Sequence, residues 1–486
     1  MPAFKLYIGG KWVPSGSGQT FASLNPATER PIGRFQKGTA ADVEKAVAAA
    51  EKALPRWQET PPPVRARVLY KAATLLRQRK EELARLVTTE MGKVLPEARG
   101  DVQEAIDTAE YFAGEGRRLF GTTTTSELPD KFAMTIRVPV GVVGLITPWN
   151  FPIAIPSWKA FPALVCGNTI VLKPSSDTPL CATRFVEILL EAGVPPGVVN
   201  LVTGPGEDVG DALVTHPAVR GISFTGHGTT GESIAKKAGT KKVGLEMGGK
   251  NGIIILPDAD LALAEDGVVW GAYGTAGQRC TAASRVIAVG SSVKEVERRL
   301  AARTRALRLG PGLLPTTDVG PLINRQAVEK THRYTEVGKA EGAKLLVGGS
   351  PPVGKGFFYR PTLFTGVTPD MRIAREEIFG PSLSILHAPT LDDAIDIMNS
   401  VEYGLSSAIY TRDVRAAFRA IARIQAGITY VNASTIGAEV HLPFGGVKGT
   451  GHTREAGWTG LDEFTHVKTV YVDYSGKLQR AQIDVE

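Results

Sequence analysis

From Val140 onward, short apolar runs alternate with helical patterns: GVVGLIT, NTIVLK, VVNLVTG, GISFTG and KKVGLEM, each separated by a stretch of helical periodicity. Parallel neighbours need a crossover of a dozen or more residues, usually a helix, so this alternation predicts a doubly wound parallel sheet. A second α/β series begins at Asn251. GIIIL is followed by a helix within DADLALAEDGVVWGAYG, then RVIAVG and KEVERRLAARTRAL, and later KLLVGG, a helix from Leu391, SSAIYT and GITYVN. A chain of 486 residues is too long for one core, which agrees with two such series.

Ahead of the first series, residues 1–36 read as a hairpin region wrapped on the surface. Thr39 and Asp42 form a capping-box variant before a helix from about Ala41, with Val43, Ala46, Val47 and Ala50 on its apolar face. Longer helices are expected from Pro63 to about Glu90 and from Glu97 to about Arg118. The segment TTTTSELPDKFAMTIRVPV (122–140) is threonine-rich and β-like, and the tail HVKTVYVDY is a natural strand partner for it.

The net charge of +7 is spread along the chain without basic blocks interleaved with aromatics, which argues against nucleic-acid binding and leaves only a general attraction for anionic metabolites. The stretch GVVGLITPWNFPIAIP is broken by prolines and MPAFKLYIGGKW lacks a signal-peptide core, so a cytoplasmic protein without a membrane span is expected. Three cysteines give neither a disulfide framework nor metal-ligand spacing, and no metal is expected. Cys166, inside PALVCGNTIVL, reads as a small buried hydrophobe, and Cys181 as structural.

Cys280 differs: TAGQRCTAASR sets it among glycine, alanine and threonine, where a backbone can approach a ligand. Glu246 ends an apolar run in GLEMGGKN, and Asn150 is braced by an aromatic and two prolines in TPWNFP. A thiol nucleophile, a carboxylate base and an amide oxyanion donor are the parts that covalent acyl chemistry needs. With EEIFGP (376–381) and LPFGGVK (442–448), these motifs make the chain resemble the aldehyde dehydrogenase superfamily over nearly its whole length.

The resemblance implies an NAD(P)-binding domain (1–121 and 140–250), a catalytic domain (251–432), and an oligomerisation arm with a C-terminal substrate loop (122–139 and 433–486). It also implies an NAD- or NADP-dependent homodimer or homotetramer acting on a small aldehyde. Gly226-His227-Gly228-Thr229-Thr230-Gly231 matches G-x-G-x-x-G, with Glu246 about 20 residues on, but it follows the fourth strand of the series rather than the first. The resemblance makes it a wider Gly-x-x-x-x-Gly turn, with His227 where serine or threonine is usual. In the other loop, Thr203-Gly204-Pro205-Gly206, Val209 stands where a third glycine belongs. Cofactor contacts implied by the resemblance fall on Thr147, Trp149, Lys173, Ser176, Gly206, Gly226, His227, Glu377 and Phe379. Ser176 stands where NAD-specific relatives often carry glutamate, so NADP is admissible.

By the same resemblance Cys280 is the nucleophile, Asn150 with the Cys280 N–H the oxyanion hole, Glu246 the deacylating base, and Lys159 and Glu455 a proton relay. Thr450 and Thr453 depart from the usual serine and glycine ahead of Glu455. Glu104, Arg279 and Glu439 are charged positions suited to a semialdehyde, the first two matching the antiquitin branch. The alternatives are a CoA-acylating enzyme, which usually lacks the base at Glu246, and a non-catalytic homologue, which loses the cysteine.

Overall fold

The computed structural model describes residues 2–484. In chain order come strands β1 (Leu6–Ile8) and β2 (Lys11–Val13) and helices α1 (Ala40–Glu59), α2 (Pro62–Gln78), α3 (Lys80–Met91) and α4 (Leu95–Glu115). Strands β3 (Thr123–Thr125) and β4 (Lys131–Pro139) follow, then β5 (Val142–Ile146), α5 (Ala154–Cys166), β6 (Thr169–Lys173), α6 (Pro179–Ala192), β7 (Val199–Leu201), β8 (Val219–Thr225), α7 (Gly228–Ala238) and β9 (Lys242–Glu246).

The first sheet has the order β9-β8-β5-β6-β7-β1-β2, parallel from β9 to β7 and antiparallel beyond. Strand alternation divides its side chains between two covered faces. Val142, Ile146, Val171, Ile222 and Phe224 pack under α1 and α7, while Val143, Leu145, Ile170 and Leu172 pack under α2, α4, α5 and α6. The first part of the expected hairpin region, Leu6–Val13, therefore belongs to this sheet rather than to a surface wrap, with Leu6 fully buried and Tyr7 nearly so. Thr20–Asn25 and Arg30–Gln36 pair antiparallel in a separate sheet, as expected. The expected helix over 63–90 is two helices. Arg79 leaves helical geometry (φ −104°, ψ 15°) and pairs with Glu191 at 2.6 Å, while Leu76 and Leu83 stay buried on either side. The Thr39–Asp42 capping box forms as expected.

The second sheet contains β10 (Asn251–Ile255), β11 (Ala283–Val289), β12 (Lys344–Val347), β13 (Thr362–Thr365), β14 (Ser382–Ala388), β15 (Ser406–Tyr410) and β16 (Ile428–Val431), in the order β12-β13-β14-β11-β10-β15-β16. Helix α8 (Leu261–Tyr273) crosses from β10 to β11, and the short helix α9 (Gly460–Glu463) precedes β17 (Thr465–Asp473). Strand β17 pairs with β4 along its length, from Thr465 opposite Pro139 to Asp473 opposite Lys131, and β3 completes this outlying antiparallel sheet. Among the described residues, no helix is long and apolar enough to cross a membrane.

Candidate active site

Strand order in the first sheet reverses between β5 and β8, and ligands bind outside the carboxyl ends of the strands at such a point. Strand β5 runs out into Thr147-Pro148-Trp149-Asn150, β8 into Gly226-His227, and β9 ends on Glu246 itself. Glu246 was legible as the carboxylate ending an apolar run, and Asn150 as an amide braced by an aromatic and two prolines. The fold brings these ends together.

The second sheet delivers the thiol. Between α8 and β11 the chain turns through consecutive left-handed residues, Thr275 and Ala276 (both φ 54°) and Gly277 (φ 70°). Such a conformation costs about 1–3 kcal/mol for each non-glycine residue, and persists only where the surroundings hold it. Glu97 does so, accepting the Thr275 N–H on both carboxylate oxygens at 2.9 Å. At Gly277 a Cβ would run into the Gly380 carbonyl, so glycine is required there. The Gln278 side chain donates to the Thr275 and Pro321 carbonyls and accepts from the Ile323 N–H, and its backbone carbonyl accepts from the Asn150 amide at 3.0 Å. That last bond fixes the asparagine while leaving its second N–H free.

Cys280 lies half-buried where two cavities meet. The larger, about 360 Å³, is lined by Trp149, Gly226, His227, Glu377, Phe379 and Lys330 among others, and the smaller, about 120 Å³, by Glu104, Phe151, Trp158, Arg279, Phe444 and Glu455; Glu246 and Cys280 line both. An outer funnel of about 620 Å³ continues from the smaller one past Glu104, Arg279 and Glu439. Lys173, Ser176 and Gly206 sit at the neighbouring strand ends β6 and β7 rather than in the 360 Å³ cavity. Ser176 donates to the Gly204 carbonyl at 3.2 Å, Lys173 to the Pro174 carbonyl at 3.1 Å, and Gly206 starts a π-helical turn over Gly206–Gly210.

The larger cavity suits a nicotinamide nucleotide. The Glu377 carboxylate is anchored by the Gly249 N–H at 2.9 Å, and a Cβ on Gly248 would take its place. Phe379, at φ 57°, meets Trp149 edge to face with ring centroids 5.5 Å apart. Among the described residues Thr147 Oγ1 and Asn150 Oδ1 are buried without a hydrogen-bond partner; Asn150 lines this cavity, whereas Thr147 lies behind it. His227 caps α7 by accepting the Thr229 N–H, so it stands exposed at a helix N-terminus suited to a phosphate.

Electrostatics set the resting protonation. Burial, then the nearby Glu246 and Glu377 carboxylates, push the Cys280 thiol up to about 12. Burial, then Glu455, hold Glu246 well above the ordinary carboxylate range, with Lys159 opposing; both Glu246 oxygens lack a partner. Lys159, with no exposed surface, forms an ion pair with Glu455 and donates to Ser223 Oγ at 2.9 Å. The two departures near Glu455 secure its loop. Thr450 donates to the Gly248 carbonyl at 2.9 Å, and Thr453 bonds both Leu245 backbone groups, clamping the residues on either side of Glu246.

At the channel mouth, Arg279 donates to Thr275 Oγ1 at 2.9 Å, approaches Glu97 at 3.4 Å and lies over the Phe151 ring. Glu97, which braces the turn ahead of Cys280, was missed by sequence reading: in LPEARGD it looks like ordinary first-turn acid on a helix. Met247, Phe151, Trp158, Phe444 and Lys330 were missed as cavity walls too, having only apolar or basic character to mark them.

The sequence matches the aldehyde dehydrogenase family over residues 12–470. It is 42% identical over 474 residues to the alpha-ketoglutaric semialdehyde dehydrogenase of Bacillus subtilis (strain 168), covering 96% of this chain and 97% of that protein. Its identity to the 2,5-dioxopentanoate dehydrogenase of Saccharolobus solfataricus is 40% over 471 residues, covering 96% and 98%. The crystal structure of an NAD-dependent aldehyde dehydrogenase from Sinorhizobium meliloti superposes with a TM-score of 0.96 at 39% identity, covering 99% of this chain and 96% of that one. At these levels of identity and coverage the chain belongs to the aldehyde dehydrogenase family, whose members oxidise aldehydes with NAD or NADP.

Proposed function

We propose that this enzyme oxidises an ω-carboxylated semialdehyde to the dicarboxylic acid, with Cys280 as nucleophile, Asn150 as oxyanion donor and Glu246 as deacylating base. The observation that carries the reading is the meeting of Cys280 and Glu246 at the junction of the two cavities, with Asn150 at the edge of the larger. The smaller cavity suits an aldehyde and the larger a nicotinamide ring.

Cys280 rests protonated, so attack on the carbonyl carbon requires its proton to leave; Glu246 accepts it in its ionised form, which its raised carboxyl supplies increasingly as pH rises. The new C–S bond gives a tetrahedral thiohemiacetal whose oxyanion meets the free Asn150 N–H and the Cys280 backbone N–H; one such donor is worth roughly 10²–10³ in rate. A bound nicotinamide supplies the hydride acceptor. Glu246 hands the Cys280 proton on to the Lys159–Glu455 pair and is then free to take one from the water that adds to the thioester carbon, as the Cys280 sulfur departs as thiolate. The Lys159–Glu455 pair then draws that proton away from Glu246.

For the substrate, support comes from Arg279, whose guanidinium stands where the channel meets the funnel, and from two relatives named for carboxylated aldehydes. Cofactor contacts are assigned to Thr147, Trp149, Lys173, Ser176, Gly206, Gly226, His227, Glu377 and Phe379. We assign residues 1–121 and 140–250 to cofactor binding, 251–432 to catalysis, and 122–139 with 433–486 to an arm and C-terminal loop. The outlying sheet serves self-association as a homodimer or homotetramer, which its exposed apolar Phe132, Ile136, Val467, Tyr471 and Val472 support. Three free cysteines fit a cytoplasmic setting.

The test is pre-steady-state kinetics. Cys280→Ala abolishes oxidation with cofactor binding intact, whereas Glu246→Gln still releases one burst of reduced cofactor per site and then stalls. A normal steady-state rate for Glu246→Gln, or a rate that depends on added CoA, overturns the hydrolytic reading.

A further inference from the structure

Alternation along β8 and β9 places Ser223 and Thr225, and Lys242, Gly244 and Glu246, on the sheet face covered by α5, because Ile222, Phe224, Val243 and Leu245 pack on the other. Ser223 pairs in register with Gly244, and Thr225 with Glu246. This face holds more ionisable groups than deacylation accounts for. Beyond Glu246, Glu455 and Lys159 lies Glu463, at the end of α9. Its carboxyl packs against the bare backbone of Gly244, where a Cβ would collide with it, so the strand is left open for this side chain.

We propose that Glu463, reached from Lys159 through the Ser223 hydroxyl, carries the deacylation proton from the buried site to solvent. The inference rests on the reading of Glu246 as base. Ser223 Oγ accepts from the Lys159 ammonium at 2.9 Å, and the Glu463 carboxyl lies against Gly244, the register partner of Ser223, on the same sheet face. Glu246, Glu455, Lys159 and Ser223 are all buried, at 3%, 4%, 0% and 0% exposure, whereas Glu463, although its Oε1 is buried, keeps partial exposure as a residue and is the least buried of the series. One Glu463 oxygen, Oε1, has no partner.

The transfer balances without a further reactant. Water gives one proton to Glu246, Glu246 passes it to the Glu455–Lys159 pair, Lys159 gives one to Ser223 Oγ as Ser223 gives its own to Glu463, and Glu463 releases it. The charged groups facing Glu463 are Lys159 from α5, Glu455 from the C-terminal loop, and Lys242 and Glu246 from β9. Lys242 is tethered to the Asp462 and Thr465 carbonyls, and Arg137 to Asp462, where α9 meets the outlying sheet. Burial, then Glu455, push the Glu463 carboxyl up to about 7 against Lys159 and Ser223, so it gains and loses a proton near neutrality.

The test uses the full-length enzyme with both substrates, following the burst, steady-state turnover and the solvent deuterium isotope effect. In Glu463→Gln, kcat falls about tenfold, less than the 10²–10⁴ of a direct base, while the burst keeps its rate and amplitude. The isotope effect on kcat rises, imidazole restores turnover, and Glu463→Asp retains part of it. Ser223→Ala repeats the pattern with Glu463 untouched. The proposal is overturned if burst and turnover fall together, if imidazole restores nothing, or if kcat and its isotope effect match the parent from mildly acid to mildly alkaline pH. Normal turnover in Glu246→Gln instead removes the base itself, which separates the two failures.

Discussion

Lys93 and Asp101 form an ion pair at 2.9 Å in which neither side chain is exposed. The second Asp101 oxygen accepts the Ala154 N–H at 2.8 Å, and the Lys93 ammonium lies 3.6 Å from the centroid of the Phe151 ring. The pair therefore fixes both the start of α5 and a wall of the aldehyde channel. Asp101→Asn leaves a buried ammonium unpaired, and breaking such a pair costs about 3–5 kcal/mol. The denaturant midpoint should fall accordingly, with Lys93→Met in the same background recovering part of the loss. An unchanged midpoint in Asp101→Asn contradicts this account.

Glu104 predicts how stability depends on pH. Burial, then Asp101, raise its carboxyl from the ordinary 4.5 to about 8, with Arg279 and Lys93 opposing. Between those values the folded state holds a proton that the unfolded chain has released, so its contribution is full below the ordinary carboxylate range and is lost as pH rises towards about 8. Replacing it by glutamine should flatten the fall in Tm over that window. Parallel curves of Tm against pH for parent and Glu104→Gln would show that the carboxyl is already ionised.

What the sequence made legible was local. The parallel strands were marked by unbroken apolar runs, Glu246 by closing one of them, Asn150 by its aromatic and proline bracing, and Cys280 by its glycine-, alanine- and threonine-rich setting. The pairing of the tail with the arm was legible too, from their shared β character. The break at Arg79 was not, because one non-helical residue leaves the apolar spacing on either side intact. Thr275 and Ala276 gave no sign of left-handed geometry, which is held by Glu97 from 178 residues away. Glu463 was hidden similarly: its meaning depends on Ser223, Lys159 and the missing Cβ of Gly244, which only the folded sheet assembles.

Cofactor choice gives a third prediction. Ser176 presents a neutral hydroxyl near the end of β6, and Lys173 supplies the cation for a 2′-phosphate, so NADP should serve as well as NAD. Ser176→Glu sets a carboxylate against that phosphate and should shift the NADP to NAD ratio of kcat/KM by roughly tenfold or more, equivalent to about 1.4 kcal/mol. Burial lowers the Lys173 ammonium to about 8, with Asp177 opposing, so the KM for NADP should rise as pH passes that value while the KM for NAD changes less. No detectable turnover of NADP by the parent enzyme contradicts the assignment.

The substrate prediction turns on what Arg279 has left to offer. Its Nε is used by Thr275 and one Nη approaches Glu97, but at 3.4 Å that pair is loose, and the remaining N–H groups stand at the junction of channel and funnel. A carboxylate arriving on the far end of a semialdehyde can take those donors without breaking the turn that Glu97 holds. A charge-assisted contact of this kind is worth about 1.5–3 kcal/mol, or roughly 10- to 150-fold in affinity. Arg279→Ala should therefore raise KM for adipate semialdehyde by about that factor while changing kcat far less, and leave hexanal nearly unaffected. Arg279→Lys should recover little, since a point charge does not reproduce the planar fork. Equal kcat/KM for hexanal and adipate semialdehyde in the parent enzyme would leave Arg279 a structural brace of the nucleophile loop and the enzyme a generalist.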